Sequence, residues 1–468
     1  MGADWNATGG RGMSTVGINF GSATSGTGFD VTTTVNSILA IQQGIETPWK
    51  TQLTTLAAQD TAFTQIGTDL ATLSTSLGAL TAADGVMASK QGSSSDTNVL
   101  SLSSASTDAV AGSHTITVGL LAQTSSQYTN VLSSSDTLSG ALTIQVGSGT
   151  AQTITLDSSD DTLSTLASAI NQGSYGVTAS VVTDTNGSRL SIVSGTSGAA
   201  GQLTLSSTLA DSTTPATTIA FQTGQTGADA QLNVDGVAVT SASNTVSGVI
   251  PGVTFQILSA APNEDVQVQI TNDNSAIETA MQTFVTAYNA VATDIKTQEG
   301  KTSTGAAEPL YGDPTLALIQ QQLSSGLFQG TGSGSIKSIT DLGLEVSETG
   351  QLSLNVSTLE TALNSNFTNV STFLQGTEGF GQTYTSTLNG LGNTGTGAVD
   401  LALAQDSQEE GALNTDVTNQ DALIATEKTT LTTELNTANE ELQSIPEQLN
   451  EVNELYSSFT GYNTNTGS

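Results

Sequence analysis

The sequence predicts an α+β chain of several domains, in which the N- and C-terminal ends form one discontinuous α-helical coiled-coil domain and two mainly-β domains are inserted between them. Three patterns predict this. Over 414–459, apolar residues fall at Leu431, Leu435, Ala438, Leu442, Ile445, Leu449, Val452, Tyr456 and Phe459, the alternating four and three steps of a heptad seam. The stretch 31–80 repeats that spacing through Val31, Val35, Ile38, Ile45, Trp49, Leu53, Leu56, Phe63, Ile66, Leu70, Leu73, Leu77 and Leu80. From residue 98 to residue 270 the period drops to two, in short runs split by Gly, Ser, Asp and Asn. Neither helical stripe can be buried alone, so beginning and end are expected to lie side by side with the middle looped out.

In chain order, 1–29 reads as a flexible arm, with 1–12 an extension ahead of a start at Met13. Ile18, Phe20 and Phe29 are apolar anchors for which a free tail has no use, so the arm is expected to order against a partner. The leg 30–90 begins after Asp30, a good N-cap, meets Pro48, which starts a new helix or bends the old one, and stops at Ala83-Asp84-Gly85. A β domain over 91–224 contains two strands, a helix with Leu163, Leu166, Ala167 and Ile170 on one face, and two more strands around an Asp184-Thr185-Asn186-Gly187 hairpin. Gly224-Gln225-Thr226-Gly227 marks the boundary to a second β domain, 225–275, built around the Asp235-Gly236 turn. Helical spacing returns in 276–412 at Ile277, Met281, Phe284, Tyr288, Val291 and Ile295, with a hairpin tipped by Glu348-Thr349-Gly350. The second leg, 413–468, is about 80 Å long if helical throughout, and Pro446 is expected to break or kink it.

Composition narrows the functional classes. At 468 residues the chain can bury a sizeable core, yet only 11% of it is charged, against roughly 25% in ordinary soluble proteins. The deficit is filled by Gly, Ser, Thr and Asn, which suits an extracellular, loop-rich middle. With 42 acidic against 8 basic residues, a net charge of -34 disfavours nucleic acid and anionic lipid as partners. Any oligomer must then be held by apolar contact and tighten with salt. There is no cysteine, no run of about 18 apolar residues and no Sec-type leader, so export by another route is expected, without membrane insertion.

Enzyme chemistry finds little footing. The single histidine, His114, lies in a strand pattern and is expected to be structural, and without cysteine a zinc site has no ligand set. Asp157, Asp160 and Asp161, and Asn272, Asp273 and Asn274, lack the spacing of a calcium loop and read as turn residues. No cofactor is expected. The residues that stand out are the seam and its anchors: Ile18, Phe20, Phe29, Val31, Val35, Ile38, Ile45, Trp49, Leu53, Leu56, Phe63, Ile66 and Leu70, with Leu431, Leu435, Leu442, Leu449, Val452, Tyr456 and Phe459, as self-assembly or partner surface.

Gly26-Thr27-Gly28-Phe29-Asp30-Val31 followed by a helix with Glu46 and Pro48 resembles the opening of the bacterial flagellar filament cap family, the distal hook-associated proteins. The span 142–193 resembles the insert of flagellins and hook-associated proteins. Leu232-Asn233-Val234-Asp235-Gly236, Leu310-Tyr311-Gly312-Asp313-Pro314 and Gly350-Gln351-Leu352-Ser353-Leu354 resemble the family's second half. Thr27 and Phe29 stand where the family usually has Ser and Leu, and Pro446 departs from its closing helix. The resemblance implies a non-enzymatic cap at the filament tip, commonly a pentameric ring, beneath which exported flagellin folds and inserts. It also implies secretion through the flagellar channel, contact with filament and hook-junction proteins, and a cytoplasmic export chaperone on the C-terminal region. Another axial component, a junction protein or flagellin, and a glycan-binding surface adhesin are the rival readings.

Overall fold

The structure, a computed structural model, describes residues 27–159, 161–211, 218–330, 332 and 334–461. Ile18, Phe20, Asp160 and most of the expected arm lie outside them. Helix α1 (Val31–Thr81) opens the chain, capped by Asp30 and ended by an extended Ala82. It runs unbroken through Pro48, where a kink or restart was expected. A proline removes one backbone hydrogen bond, and the turns on either side keep theirs.

The chain then enters its β region with β1 (Lys90–Ser94), β2 (Leu100–Ala105) and β3 (Gly112–Leu120). There follow β4 (Thr124–Thr129), β5 (Leu138–Ser139), β6 (Ala141–Val146), β7 (Gln152–Thr155), α2 (Leu163–Gln172), β8 (Val177–Asp184) and β9 (Gly187–Ser197). Next come β10 (Leu203–Ser207), β11 (Ala210–Asp211), β12 (Phe221–Gln225), β13 (Ala230–Val234), β14 (Val237–Ser241), β15 (Thr245–Ser247), β16 (Val253–Ile257) and β17 (Ala261–Asn272). Every pairing between these strands is antiparallel.

The sheets correct the expected division at 224/225. One sheet runs β1-β17-β3-β13-β14 and a second β15-β16-β2. They share one core, which joins Leu100, Ile116 and Val118 to Leu232, Phe255, Val268 and Ile270. The two expected β domains therefore divide differently: residues before 123 and after 225 build one unit, and the other is nested inside it. That nested unit has a β12-β4-β9-β8 sheet, a β10-β6-β7 sheet and α2, around Leu142, Leu166, Ile170, Leu190 and Ile192. Its neck closes where Gln123 and Ala228 exchange backbone hydrogen bonds of 2.8 and 3.2 Å. Alternation identifies a strand but carries no information about its neighbour.

The remaining elements are α3 (Asn274–Gln298), α4 (Pro314–Gly326), the hairpin β18 (Leu344–Val346) and β19 (Leu352–Leu354), α5 (Val356–Gln375), α6 (Phe380–Gly392) and α7 (Ala398–Thr460). Side chains from each of these elements form one helical body, with Phe284 edge-on to Phe380 and Tyr384 at ring separations of 6.3 and 6.1 Å. Two expectations change here. The closing helix starts at Ala398, directly after the Gly- and Thr-rich 390–397 loop, but the leg cannot be cut from the body at 413, because Val399 at its start is inside the body core. The second half of α1, including Phe63, Ile66, Leu70, Leu73 and Leu77, also belongs to that core and does not lie along 414–459. α7 passes through Pro446 without a break in the helix.

Candidate functional site

The terminal helix pair is built from the start of α1. Asp30 Oδ1 accepts from the Thr33 amide at 3.0 Å and Oδ2 from the Thr33 hydroxyl at 2.7 Å, and these bonds hold its carboxyl below the usual range. One residue earlier, the Phe29 amide donates to Asn439 Oδ1 at 2.8 Å, joining positions 410 apart in sequence. Gly28 makes that approach possible. Its φ is +62°, and a Cβ there would sit 2.2 Å from the same Asn439 oxygen.

From this point α1 and α7 run antiparallel. Gln42 donates to Glu427, Gln52 donates to Glu409, and Gly67 lies against Val399. Val31, Val35, Leu39 and Ile424 are buried together, flanked by Phe29, Leu431 and Leu435. Glu46 is buried at 3% exposure, with Lys50 Nζ 2.5 Å from one of its oxygens.

The structure therefore brings some of the expected seam residues together and separates others. Phe29, Val31, Val35, Leu431 and Leu435 meet in the leg. Leu56 is buried on α1, and Ile38, Trp49, Leu53 and Leu442 are half-buried. Phe63, Ile66 and Leu70 are buried by the body instead. Ile45 is half exposed, at 51%. Leu449, Val452, Tyr456 and Phe459 do not meet α1 at all. Asn439 marks the start of α1, so the last 20 or so residues of α7 extend roughly 30 Å past it. There Leu449, Val452, Leu455, Tyr456 and Phe459 are exposed, Phe459 at 86%.

Leu39, Ile424 and Asn439 are leg residues that sequence reasoning missed. The signal existed for two of them: Leu39 lies four residues after Val35, and Ile424 one heptad before Leu431. Asn439 has no pattern, since an amide that caps a distant backbone N–H leaves no periodic trace.

In the β region the polar residues singled out from the sequence have structural partners. His114 Nδ1 lies 2.7 Å from Asp235 Oδ2, and Asp235 Oδ1 accepts from the Thr115 amide at 2.8 Å. These bonds, His114 first, lower the Asp235 carboxyl from its usual range. They pin β3 to the tight turn at Asp235, whose φ is +52°, and Gly236. Asp273 is the N-cap of α3, accepting from the Ala276 amide at 3.0 Å, and Asp157 accepts from the Ser159 amide at 2.7 Å. Among the described residues no three His, Asp or Glu side chains come together to hold a metal, and no helix is long and apolar enough to cross a membrane.

Comparison with known proteins matches this architecture. Family models match in order along the chain: flagellar hook-associated protein 2 N-terminus at 27–125, flagellin hook IN motif at 141–196, and flagellar hook-associated protein 2 C-terminus at 227–463. The middle match falls within the nested β unit. A B-type flagellar hook-associated protein 2 from Pseudomonas aeruginosa is 29% identical over 384 residues, covering 75% of this chain and 79% of its own. The flagellar hook-associated protein 2 of Escherichia coli K12 is 30% identical over 378 residues, with 75% and 79% covered. The crystal structure of the flagellar cap protein D1-D2-D3 domains from Escherichia coli superposes with a TM-score of 0.57 at 28% identity, covering 74% of this chain and 99% of that one. With its two ends and its insert all matched in order, this chain belongs to the flagellar hook-associated protein 2 family and is a flagellar filament cap protein.

Proposed function

We propose that the chain works as a non-enzymatic capping chaperone at the filament tip, and that the projecting end of α7 is the surface through which it docks. The observation that carries this reading is the row Leu449, Val452, Leu455, Tyr456 and Phe459, left uncovered on a helix that has already passed its intramolecular partner. Burying each such side chain is worth about 1.5–3 kcal/mol, enough to hold a leg in an apolar gap and few enough contacts for it to be released. The net charge of -34 opposes self-association, so the closed ring is held by apolar contacts and tightens with salt.

In this reading the ring, commonly a pentamer in the family, covers the growing end while exported flagellin folds and inserts beneath it. The legs contact filament and hook-junction proteins. Before secretion, the same C-terminal region is the seat of a cytoplasmic export chaperone. The seam positions Phe29, Val31, Val35, Leu431 and Leu435 stiffen the leg, and Ile18 and Phe20 in the preceding arm add apolar contact on docking.

The test is deletion of 450–468, with filament length and negative-stain images of the purified chain as readouts. Filament growth and ring formation are expected to stop while the β units remain folded by circular dichroism. Normal filaments from the truncated chain would reject the role of the projecting end. Long helical polymers in place of rings would reject capping.

A further inference from the structure

α1 carries three carboxyl groups in its 51 residues, Glu46, Asp60 and Asp69, and none is on its exposed face. That face is mostly Thr, Gln, Ala and Ser, in a chain with 42 acidic residues. The helix thus keeps its acids in its interfaces, where charge is most costly. Glu46 has Lys50 beside it. The other two face a second acid. Asp60 meets Asp406 of α7, with Asp313 at the start of α4 and Glu409 on the next turn of α7 adding negative charge. Asp69 meets Asp294 of α3, and the Gln65 amide lies 3.3 Å from both Asp69 oxygens. No lysine or arginine is among the groups acting on Asp294 or Asp406. Asp60 Oδ1 and Asp406 Oδ2 are shielded from water and meet no donor. Two ionised carboxylates leave both oxygens unsatisfied, whereas a proton on one gives the other a donor.

We propose that the two acid pairs form a pH-graded clasp: the grip of α1 on α7 and α3 tightens in mild acid, when Asp406 and Asp294 each hold a proton against the facing carboxylates of α1, and relaxes toward neutral pH, when Asp406 and Asp294 are ionised. Burial, followed by the facing Asp69, pushes Asp294 from 3.8 up to about 6. Burial, followed by Asp60, Asp313 and Glu409, pushes Asp406 up to about 6 as well. A carboxyl whose folded pKa is raised keeps its proton longer when folded than when unfolded. Stability therefore falls as pH rises from about 4 to about 6 and stays lower above that, by about tenfold in the unfolding equilibrium per pair once solvent screening of these partly exposed groups is counted.

The test is the pH dependence of the helical melting transition of the full chain, at fixed ionic strength from pH 4.5 to 7.5, for wild type, D294N/D406N and the exposed control D416N. Asparagine copies the shape of the protonated acid. The double variant is expected to lose the slope and to melt higher than wild type at pH 7.5, while D416N, which also removes one charge, keeps the slope. A flat wild-type profile, a double variant with the wild-type slope, or one that fails to fold would each overturn the clasp.

Discussion

The two halves of α1 have the same apolar spacing and different surroundings. Residues 62–80 are enclosed by α3, α5, α6 and the first turn of α7, so that Ile66, Leu73 and Leu77 have no exposed surface. Among the described residues, 31–56 have one partner helix, α7, and that partner is thin: of its 63 residues, Val399, Leu413 and Ile424 are the buried ones. A stripe fixes which face of a helix wants cover, and the number of elements within reach fixes how well it is held. One continuous helix is in this way a structural strut at its C-terminal end and a loosely held leg at its N-terminal end.

Truncations of matched size break this comparison most strongly. Leu73→Ala in the strut is expected to cost about 2–5 kcal/mol, because a cavity opens where several elements already meet. A lowered midpoint for the whole helical body in thermal melts checks it. Leu39→Ala in the leg is expected to cost no more than about 2 kcal/mol, with faster amide exchange confined to the first turns of α1 and the facing part of α7. Equal losses from the two variants would erase the distinction.

Smaller effects sharpen it. Gly28→Ala forces a left-handed backbone onto a residue with a Cβ and drives that Cβ into Asn439, so about 1–2 kcal/mol is lost at the point where the leg is fastened. Exchange of the Phe29 amide should rise while the melting of the body is unchanged. The smallest effect belongs to the β region. Asp235 is held below its usual pKa by His114 and Thr115, so its contribution is present above pH 3.8 and is lost as pH falls through the lower folded value. His114→Ala should weaken that acid-side loss, read as a smaller change in β-unit melting between pH 5 and pH 3.

Much of this organisation was legible in the residues. The heptad steps gave both long helices, Asp30 gave the cap of the first, and the Asp235-Gly236 turn and the 184–187 hairpin fell where turn chemistry put them. The nesting of one β unit inside another was not legible, because it rests on β3 pairing with β13 and β17, more than 100 residues away. Nor could spacing separate Leu435, which finds Val31 and Val35, from Leu449 and Val452, which lie exposed beyond the start of α1. All three continue one pattern, and their fates differ because α1 begins only after Asp30.

Amide hydrogen exchange along α1 tests the central claim most directly. The account predicts that residues 62–80 exchange only with global unfolding, while 31–46 and the facing and projecting residues of α7 beyond 420 exchange at least about tenfold faster. Uniform protection from Val31 to Thr81, matched by the far end of α7, would contradict it.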